Sequence, residues 1–154
     1  MAKAVAFGEA LKPDFKTYAE QIVKNAKTLS EELINQGLTL VTGGTDNHLM
    51  VIDLSANDLT GKGKEVQNAL EQAEIYVNKN TIPYEPATPF NPSGIRLGTP
   101  AVTSRGMVEV DMKVIAKGIA EVVKNHQDEP IIERVRKEML ALTQKYPLYP
   151  EIEI

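Results

Sequence analysis

The sequence predicts an α+β fold in which a small, largely antiparallel sheet packs against helices. Long amphipathic segments stand near both ends of the 154-residue chain, with apolar residues recurring every three or four positions. Between them lie short apolar runs separated by glycine and proline, a pattern typical of short strands joined by turns. Because these strands cluster in the chain instead of alternating strictly with helices, an α+β fold is favoured over a parallel α/β sheet.

Two helices are predicted at the N-terminus. Residues 2–11 have a helical composition, and Pro13-Asp14 ends that helix and begins a second one. Gly37 provides a stop for the second helix, whose apolar positions have helical spacing: Phe15, Tyr18, Ile22, Ala26, Leu29 and Leu33. Since no N-cap residue precedes the first helix, we expect the chain to be part of a longer polypeptide.

Four short strands are predicted in the middle of the chain. In chain order they cover residues 38–42, 49–54, 75–77 and 94–97. A helix lies between the second and third strands and has Val66, Leu70 and Ala73 on one face.

Two further helices are predicted after the strands. The first begins at Val108-Glu109, and the second begins at Asp128-Glu129-Pro130, with proline in the tolerated first turn. The segments 99–100 and 103–106 are interpreted as turns, and residues 149–154 as a tail.

Composition argues against several classes of function. The formal net charge of -4 argues against a nucleic-acid surface, and no apolar run reaches the roughly 20 residues that span a bilayer. The sequence has no cysteine, which excludes a disulfide, a thiolate nucleophile and a thiolate metal site. His48 and His126 are the two histidines, and they are far apart, which argues against a histidine zinc site. We expect a cytoplasmic protein with no nucleic-acid or membrane partner.

Arg96 is the strongest candidate binding residue. It stands between Ile95 and Leu97, so on a strand its side chain points away from both apolar neighbours. The planar guanidinium can donate two parallel N–H groups to a carboxylate. The alternative is a surface arginine in a structural ion pair, and spacing alone leaves both interpretations open.

Asn80 is a second candidate, in the segment Asn78-Lys79-Asn80. Its amide both donates and accepts hydrogen bonds, so it can bind the edge of a heterocycle. The alternative is that it closes a turn through its own backbone. Lys79, between the two asparagines, is expected to point outward.

A proline-rich loop follows this segment. Prolines recur at every third position, the period of a polyproline II helix: Pro83, Pro86, Pro89 and Pro92. Such a segment could be an SH3-type ligand. We favour a stiff loop inside the fold, because Ile82, Tyr84 and Phe90 are expected to pack.

The remaining polar motifs lack the neighbours that catalysis requires. The segment Gly43-Gly44-Thr45-Asp46 is followed by a strand and no Gly-Lys-Ser/Thr, so it is not a phosphate loop. Asp46 and His48 could form half a metal site or an acid–base pair, but a hydrogen-bonded turn is favoured. His126 is expected to interact with the dipole at the end of a helix. The residues therefore offer ligand contacts and no catalytic residue.

Four separated motifs together resemble the serine hydroxymethyltransferase family. They occur in the family's order and cover residues 41–48 (VTGGTDNH), 59–62 (LTGK), 77–83 (VNKNTIP) and 93–100 (SGIRLGTP). The resemblance extends from about Lys3 to Tyr149. It implies a fold-type I pyridoxal-phosphate (PLP) enzyme that transfers the hydroxymethyl carbon of serine to tetrahydrofolate, giving glycine and 5,10-methylenetetrahydrofolate.

The resemblance is to the small C-terminal domain of that family. It implies a helical lead-in and long linking helix over residues 1–36, the small domain over 37–147 and a tail over 148–154.

The resemblance also implies roles for individual residues. Arg96 matches the arginine that holds the amino-acid carboxylate, and Asn80 matches an asparagine that contacts the folate pterin. The family's Ser-Pro-Phe folate contact corresponds to Thr88, Pro89 and Phe90, where Thr88 replaces serine but keeps the hydroxyl.

Other parts of the family's active site do not occur in this sequence. The Schiff-base lysine of the family lies in a Thr-Thr-His-Lys segment, which is absent from the 154 residues. The histidine that stacks on PLP and the aspartate that pairs with its ring nitrogen are missing too. PLP chemistry depends on these groups. We therefore expect no cofactor in this chain alone, no activity alone, and a partnership with a large PLP domain in a homodimer or tetramer that acts on serine and glycine.

Two alternatives to this interpretation stay open. A different fold-type I PLP enzyme would share the arginine but should lack the Asn-Lys-Asn-Thr-Ile-Pro segment. A free-standing, non-catalytic module that binds a carboxylate or a protein would fold as a stable monomer. A domain that needs a partner should instead expose an apolar patch.

Overall fold

The computed structural model describes residues 1–148 and confirms the α+β fold. The helices are α1 (Ala2–Ala10), α2 (Pro13–Asn35), α3 (Gly63–Gln72), α4 (Pro100–Ser104), α5 (Glu109–Lys124) and α6 (Glu129–Gln144). The strands are β1 (Thr39–Leu40), β2 (Leu49–Asp53), β3 (Asn78–Asn80) and β4 (Gly94–Gly98), and a 3₁₀ turn covers Ser55–Asn57.

The four strands form one sheet in the order β1-β2-β4-β3, and all neighbouring pairs are antiparallel. Because side chains alternate along a strand, the sheet has two distinct faces. Met50, Ile52, Ile95 and Leu97 are buried on one face. On the other face, which we call the open face, Arg96 is the exposed residue of β4, while Gly94 is buried.

Helices α2, α3, α5 and α6 supply the rest of the hydrophobic core. Their apolar stripes follow the predicted spacing, and the largest fully buried side chains include Leu33, Leu70, Met112, Ile119 and Val135. Burying each such side chain contributes about 1.5–3 kcal/mol. Asp128 caps α6 by accepting a hydrogen bond from the Ile131 N–H at 3.2 Å, so the predicted start of this helix is confirmed.

A buried polar network fixes α2 against α4. Asn25 is fully buried, and its Nδ2 donates to Thr103 Oγ1 and to the Met107 carbonyl, both at 2.9 Å. Thr99 Oγ1 donates to the Ile22 carbonyl at 2.8 Å. Because Thr99 directly follows β4, these contacts hold one end of the arginine strand against α2.

Two predicted elements are wrong. The strand expected at 75–77 lies at Asn78–Asn80, since these residues find backbone partners on β4, while the Ile75 N–H instead donates to the Leu70 carbonyl at 2.9 Å. The segment expected to form turns contains α4, which begins with Pro100 in its first turn.

Helix α1 forms as predicted but buries none of its residues. Phe7 is 68% exposed, and Leu11, at its end, is 88% exposed. An apolar surface exposed in this way is typical of one that another polypeptide covers.

No helix within residues 1–148 combines the length and the apolar character needed to cross a membrane. The predicted tail at 149–154 lies outside the described residues.

Candidate functional site

Arg96 extends from the open face of the sheet, as the alternation in its strand predicts. It is exposed, while its neighbours Ile95 and Leu97 are buried. Its Nε donates to Asn78 Oδ1 at 3.3 Å. No carboxylate of residues 1–148 lies within ion-pair distance of Arg96. Arg96 therefore forms no structural ion pair with this part of the chain. The two terminal nitrogens of the guanidinium have no hydrogen-bond partner among residues 1–148.

Arg96 lines one wall of a cleft of about 780 Å³. Helix α2 forms another wall, and β2 and the loop 41–47 complete the cleft. Lys27, Glu31 and Asp46 are the other charged residues that line it. The cleft is large enough for a small amino acid and gives the guanidinium access to solvent.

The loop 41–47 is a tightly hydrogen-bonded turn. Thr45 Oγ1 donates to the Leu49 carbonyl at 2.6 Å, and Asn47 Oδ1 accepts from the Leu49 N–H at 2.7 Å. Gly43 has φ 68°, a left-handed conformation that favours glycine. The structure therefore supports the turn interpretation, with Asp46 and His48 exposed.

Asn78 and Asn80 share the open face with Arg96. In the register of β3 and β4, Asn78 pairs with Arg96 and Asn80 pairs with Gly94. The side-chain Nδ2 of each asparagine donates to the carbonyl of the following residue, at 3.1 Å and 2.6 Å. Oδ1 of Asn78 accepts from Arg96, whereas Oδ1 of Asn80 accepts no hydrogen bond from residues 1–148. The structure thus brings Arg96 and Asn80 onto adjacent strands of one surface.

The outward direction expected for Lys79 is met at its ammonium, whose hydrogen bond lies at an exposed position. Alternation along β3 turns its side chain to the face opposite Asn78, where it is half-buried. Its ammonium donates to the Phe90 carbonyl, and its backbone N–H donates to Gln67 Oε1 at 2.7 Å. Lys79 therefore connects the proline-rich loop to β3.

Glu85 organises the proline-rich loop, and sequence reasoning missed it. Partial burial favours its neutral form, but hydrogen bonds from the Ser93 hydroxyl and from the backbone N–H groups of Ser93, Ala87 and Ile82 outweigh burial. Together they lower the pKa of Glu85 from 4.5 to about 2. The sequence signal for this role is a single carboxylate between Pro83 and Pro86. Its partner Ser93 lies 8 residues further along the chain, outside that local pattern.

The predicted packing of this loop is correct for one residue of three. Ile82 is buried, whereas Tyr84 is fully exposed and Phe90 is 81% exposed. Tyr84 has φ 56°, in the left-handed region that tyrosine rarely adopts. Glu85 accepts from N–H groups on both sides of the turn, so hydrogen bonds hold the loop while its two aromatic rings are exposed.

Thr88, Pro89 and Phe90 lie at the exposed tip of the loop. Thr88 Oγ1 accepts from the Asn91 N–H at 3.3 Å. Within residues 1–148 no hydrogen bond joins this tip to Asn80 or Arg96, and the connection to β3 runs through Lys79. The structure therefore brings two of the five predicted contact residues into one surface and leaves the other three on a separate loop.

The first residue of α3, Gly63, packs closely against the proline-rich loop and β4. Gly63 is buried, and an added Cβ there would lie 2.5 Å from the Pro92 carbonyl oxygen and 2.8 Å from that of Gly94. The Gly63 N–H donates to the same Pro92 carbonyl at 2.8 Å. Only glycine allows α3 to approach the loop and β4 this closely.

His126 lies near Glu65 of α3, and its expected interaction with a helix dipole stays a prediction. The distance from its Nε2 to Glu65 Oε2 is 3.8 Å, and Nε2 is buried without a hydrogen bond from residues 1–148. Hydrogen bonding by Lys62 lowers the pKa of Glu65, and the charge of His126 contributes in the same direction. This pair belongs to the packing of α3 and is not among the residues that line the Arg96 cleft.

The residues that line the cleft do not fit a complete PLP site. Lys27 is the lysine among them, and it is exposed on α2. The cleft therefore contains two cationic and two acidic side chains, but no enclosed lysine that could hold PLP covalently.

The chain also matches a known protein family. A family model described as "Serine hydroxymethyltransferase" matches residues 1–119, which is more than three quarters of the 154 residues. The matched range contains the whole sheet, the cleft and all five predicted contact residues.

Proposed function

This chain belongs to the serine hydroxymethyltransferase family, and we propose that it supplies the substrate-carboxylate and folate contacts of the family's reaction. That reaction interconverts serine and tetrahydrofolate with glycine and 5,10-methylenetetrahydrofolate. The observation that carries the proposal is Arg96, whose terminal nitrogens have no partner in the described part of the chain and whose guanidinium lines an open cleft. The match also favours this family over other fold-type I PLP enzymes.

Arg96 binds the carboxylate of serine or glycine in this proposal. A carboxylate and a guanidinium form two parallel, charge-assisted hydrogen bonds, and each contributes about 1.5–3 kcal/mol. Lysine at this position would keep the charge but lose the planar, two-pronged geometry.

Asn80 and the proline-rich loop contact folate in this proposal. Oδ1 of Asn80 is an acceptor on the open face of the sheet, which suits the N–H groups of a pterin edge. Thr88, Pro89 and Phe90 form one wall of the folate pocket. The exposure of Phe90 supports this role, because covering an apolar ring with a ligand is favourable.

PLP and the residues that hold it come from outside the 154 residues in this proposal. When bound, PLP supplies the electron sink for the amino-acid chemistry. The role of this chain is limited to binding and orienting serine, glycine and folate next to a large PLP domain, in a homodimer or tetramer of the cytoplasm. The exposed apolar residues Val5 and Phe7 of α1 support such a partnership.

Arg96→Lys in the complete enzyme tests the proposal. We expect the KM for serine to rise by about 10- to 100-fold, because one charge-assisted hydrogen bond is lost, while folate affinity is kept. Arg134→Lys is the matched control, since Arg134 pairs with Glu121 and Glu138 on the surface. Unchanged serine kinetics in the Arg96 variant would overturn the assignment.

A second experiment tests the expected inactivity of the chain alone. Adding PLP to the purified 154-residue chain should leave the absorption spectrum of free PLP unchanged. A stable spectral shift after removal of free PLP would show a cofactor site that our proposal denies.

A further inference from the structure

Asn78 is the one side chain of residues 1–148 that forms a hydrogen bond with the guanidinium of Arg96. The two residues are directly paired across β3 and β4, and Nε of Arg96 donates to Oδ1 of Asn78 at 3.3 Å. Nδ2 of Asn78 donates to the Lys79 carbonyl at 3.1 Å, which fixes the amide with its oxygen toward the arginine.

This contact decides which edge of the guanidinium is free. A guanidinium can bind a carboxylate side-on, through Nε and one terminal nitrogen, or end-on, through both terminal nitrogens. Because Nε already donates to Asn78, the side-on edge is occupied and the end-on edge is left.

We propose that Asn78 is a positioning residue that holds Nε of Arg96, so that the amino-acid carboxylate binds end-on through the two terminal nitrogens. The proposal rests on the function proposed above for Arg96. Arginine has a long, flexible side chain, and no ion pair with residues 1–148 restrains this one, so Asn78 supplies the orientation.

Nuclear magnetic resonance of the ¹⁵N-labelled 154-residue chain tests the contact directly. The side-chain Nε–Hε resonance of Arg96 is assigned by its loss in Arg96→Lys. We expect its exchange with water to be slow in the wild type, about threefold to tenfold faster in Asn78→Ala, and slow again in Asn78→Asp, which keeps an acceptor oxygen. Asn68→Ala is the matched control, because Asn68 is exposed on α3.

Titration with glycine tests the consequence for binding. We expect glycine to shift the terminal-nitrogen resonances of Arg96 more than Nε, with a Kd on the order of millimolar that rises about threefold to tenfold in Asn78→Ala. Thermal melting establishes that each variant is folded.

The outcomes separate the two proposals. If glycine shifts Arg96 in the wild type but Asn78→Ala changes neither the exchange of Hε nor the Kd, the role of Asn78 is overturned and that of Arg96 stands. A larger shift at Nε than at the terminal nitrogens likewise overturns end-on binding alone. If saturating glycine leaves every Arg96 resonance unmoved in the wild type, end-on binding by this chain is overturned, while the substrate role of Arg96 is decided by the kinetics of Arg96→Lys in the complete enzyme.

Discussion

The carboxylate of Glu85 accepts two hydrogen bonds from Ser93, one from the hydroxyl at 2.6 Å and one from the backbone N–H at 3.0 Å. Ser93 directly precedes β4, the strand that carries Arg96. The same carboxylate also accepts from the N–H groups of Ile82 and Ala87. One ionised group thus joins the proline-rich loop to the start of the arginine strand.

We expect Glu85→Gln to lower the free energy of unfolding by about 1–3 kcal/mol. The amide has one acceptor oxygen where the carboxylate uses two, so at least one N–H of the loop loses its partner. Urea denaturation followed by circular dichroism measures the change. Glu71→Gln is the matched control, because Glu71 is exposed on α3. Equal midpoints for the two variants would contradict the role given to Glu85.

The stabilisation by Glu85 should depend on pH. Its pKa is lower in the folded chain, at about 2, than the ordinary 4.5 expected after unfolding. The stabilisation is therefore fully present above about pH 4.5 and is lost as the pH falls through about 2. We expect the difference in unfolding free energy between the wild type and Glu85→Gln to shrink as the pH falls from about 4.5 to about 2. Urea titrations at several pH values measure it, and a constant difference would refute the pKa assignment.

Gly63→Ala should destabilise the fold by about 1–3 kcal/mol. The new Cβ would lie 2.5 Å from the Pro92 carbonyl oxygen, so α3 and the loop would have to separate. Gly8→Ala on α1 is the control, because nothing lies within 4 Å of its added Cβ and alanine favours the helix. Thermal melting compares the two variants. Equal melting temperatures would argue against the close approach of Gly63 to the Pro92 carbonyl.

Asn25→Ala should cost about 2 kcal/mol of stability. It removes the donor to the Met107 carbonyl and to Thr103 Oγ1, and leaves these buried acceptors without their partner. Asn35→Ala, at the exposed end of α2, should change stability by less than about 0.5 kcal/mol. Chemical denaturation distinguishes these results, and equal stabilities would show that the network does not hold α2 against α4.

Local patterns in the chain were enough to place the helices and the orientation of Arg96. Helical spacing predicted the apolar stripes of α2, α5 and α6, and Asp128-Glu129-Pro130 predicted the start of α6, because capping and periodicity act within a few residues. Strict alternation in Ile95-Arg96-Leu97 predicted an exposed arginine between two buried residues.

Contacts between separate segments determined the position of the third strand, the burial of residues in the loop and the partner of Arg96. The third strand forms at Asn78–Asn80 because β4 offers backbone partners there, and Lys79 is half-buried because alternation places it on the face opposite Asn78. Tyr84 and Phe90 are exposed, and hydrogen bonds of Glu85 with Ser93 hold the loop instead. The pairing of Asn78 with Arg96 depends on strand register, which is set between segments 18 residues apart and has no signature in either segment alone.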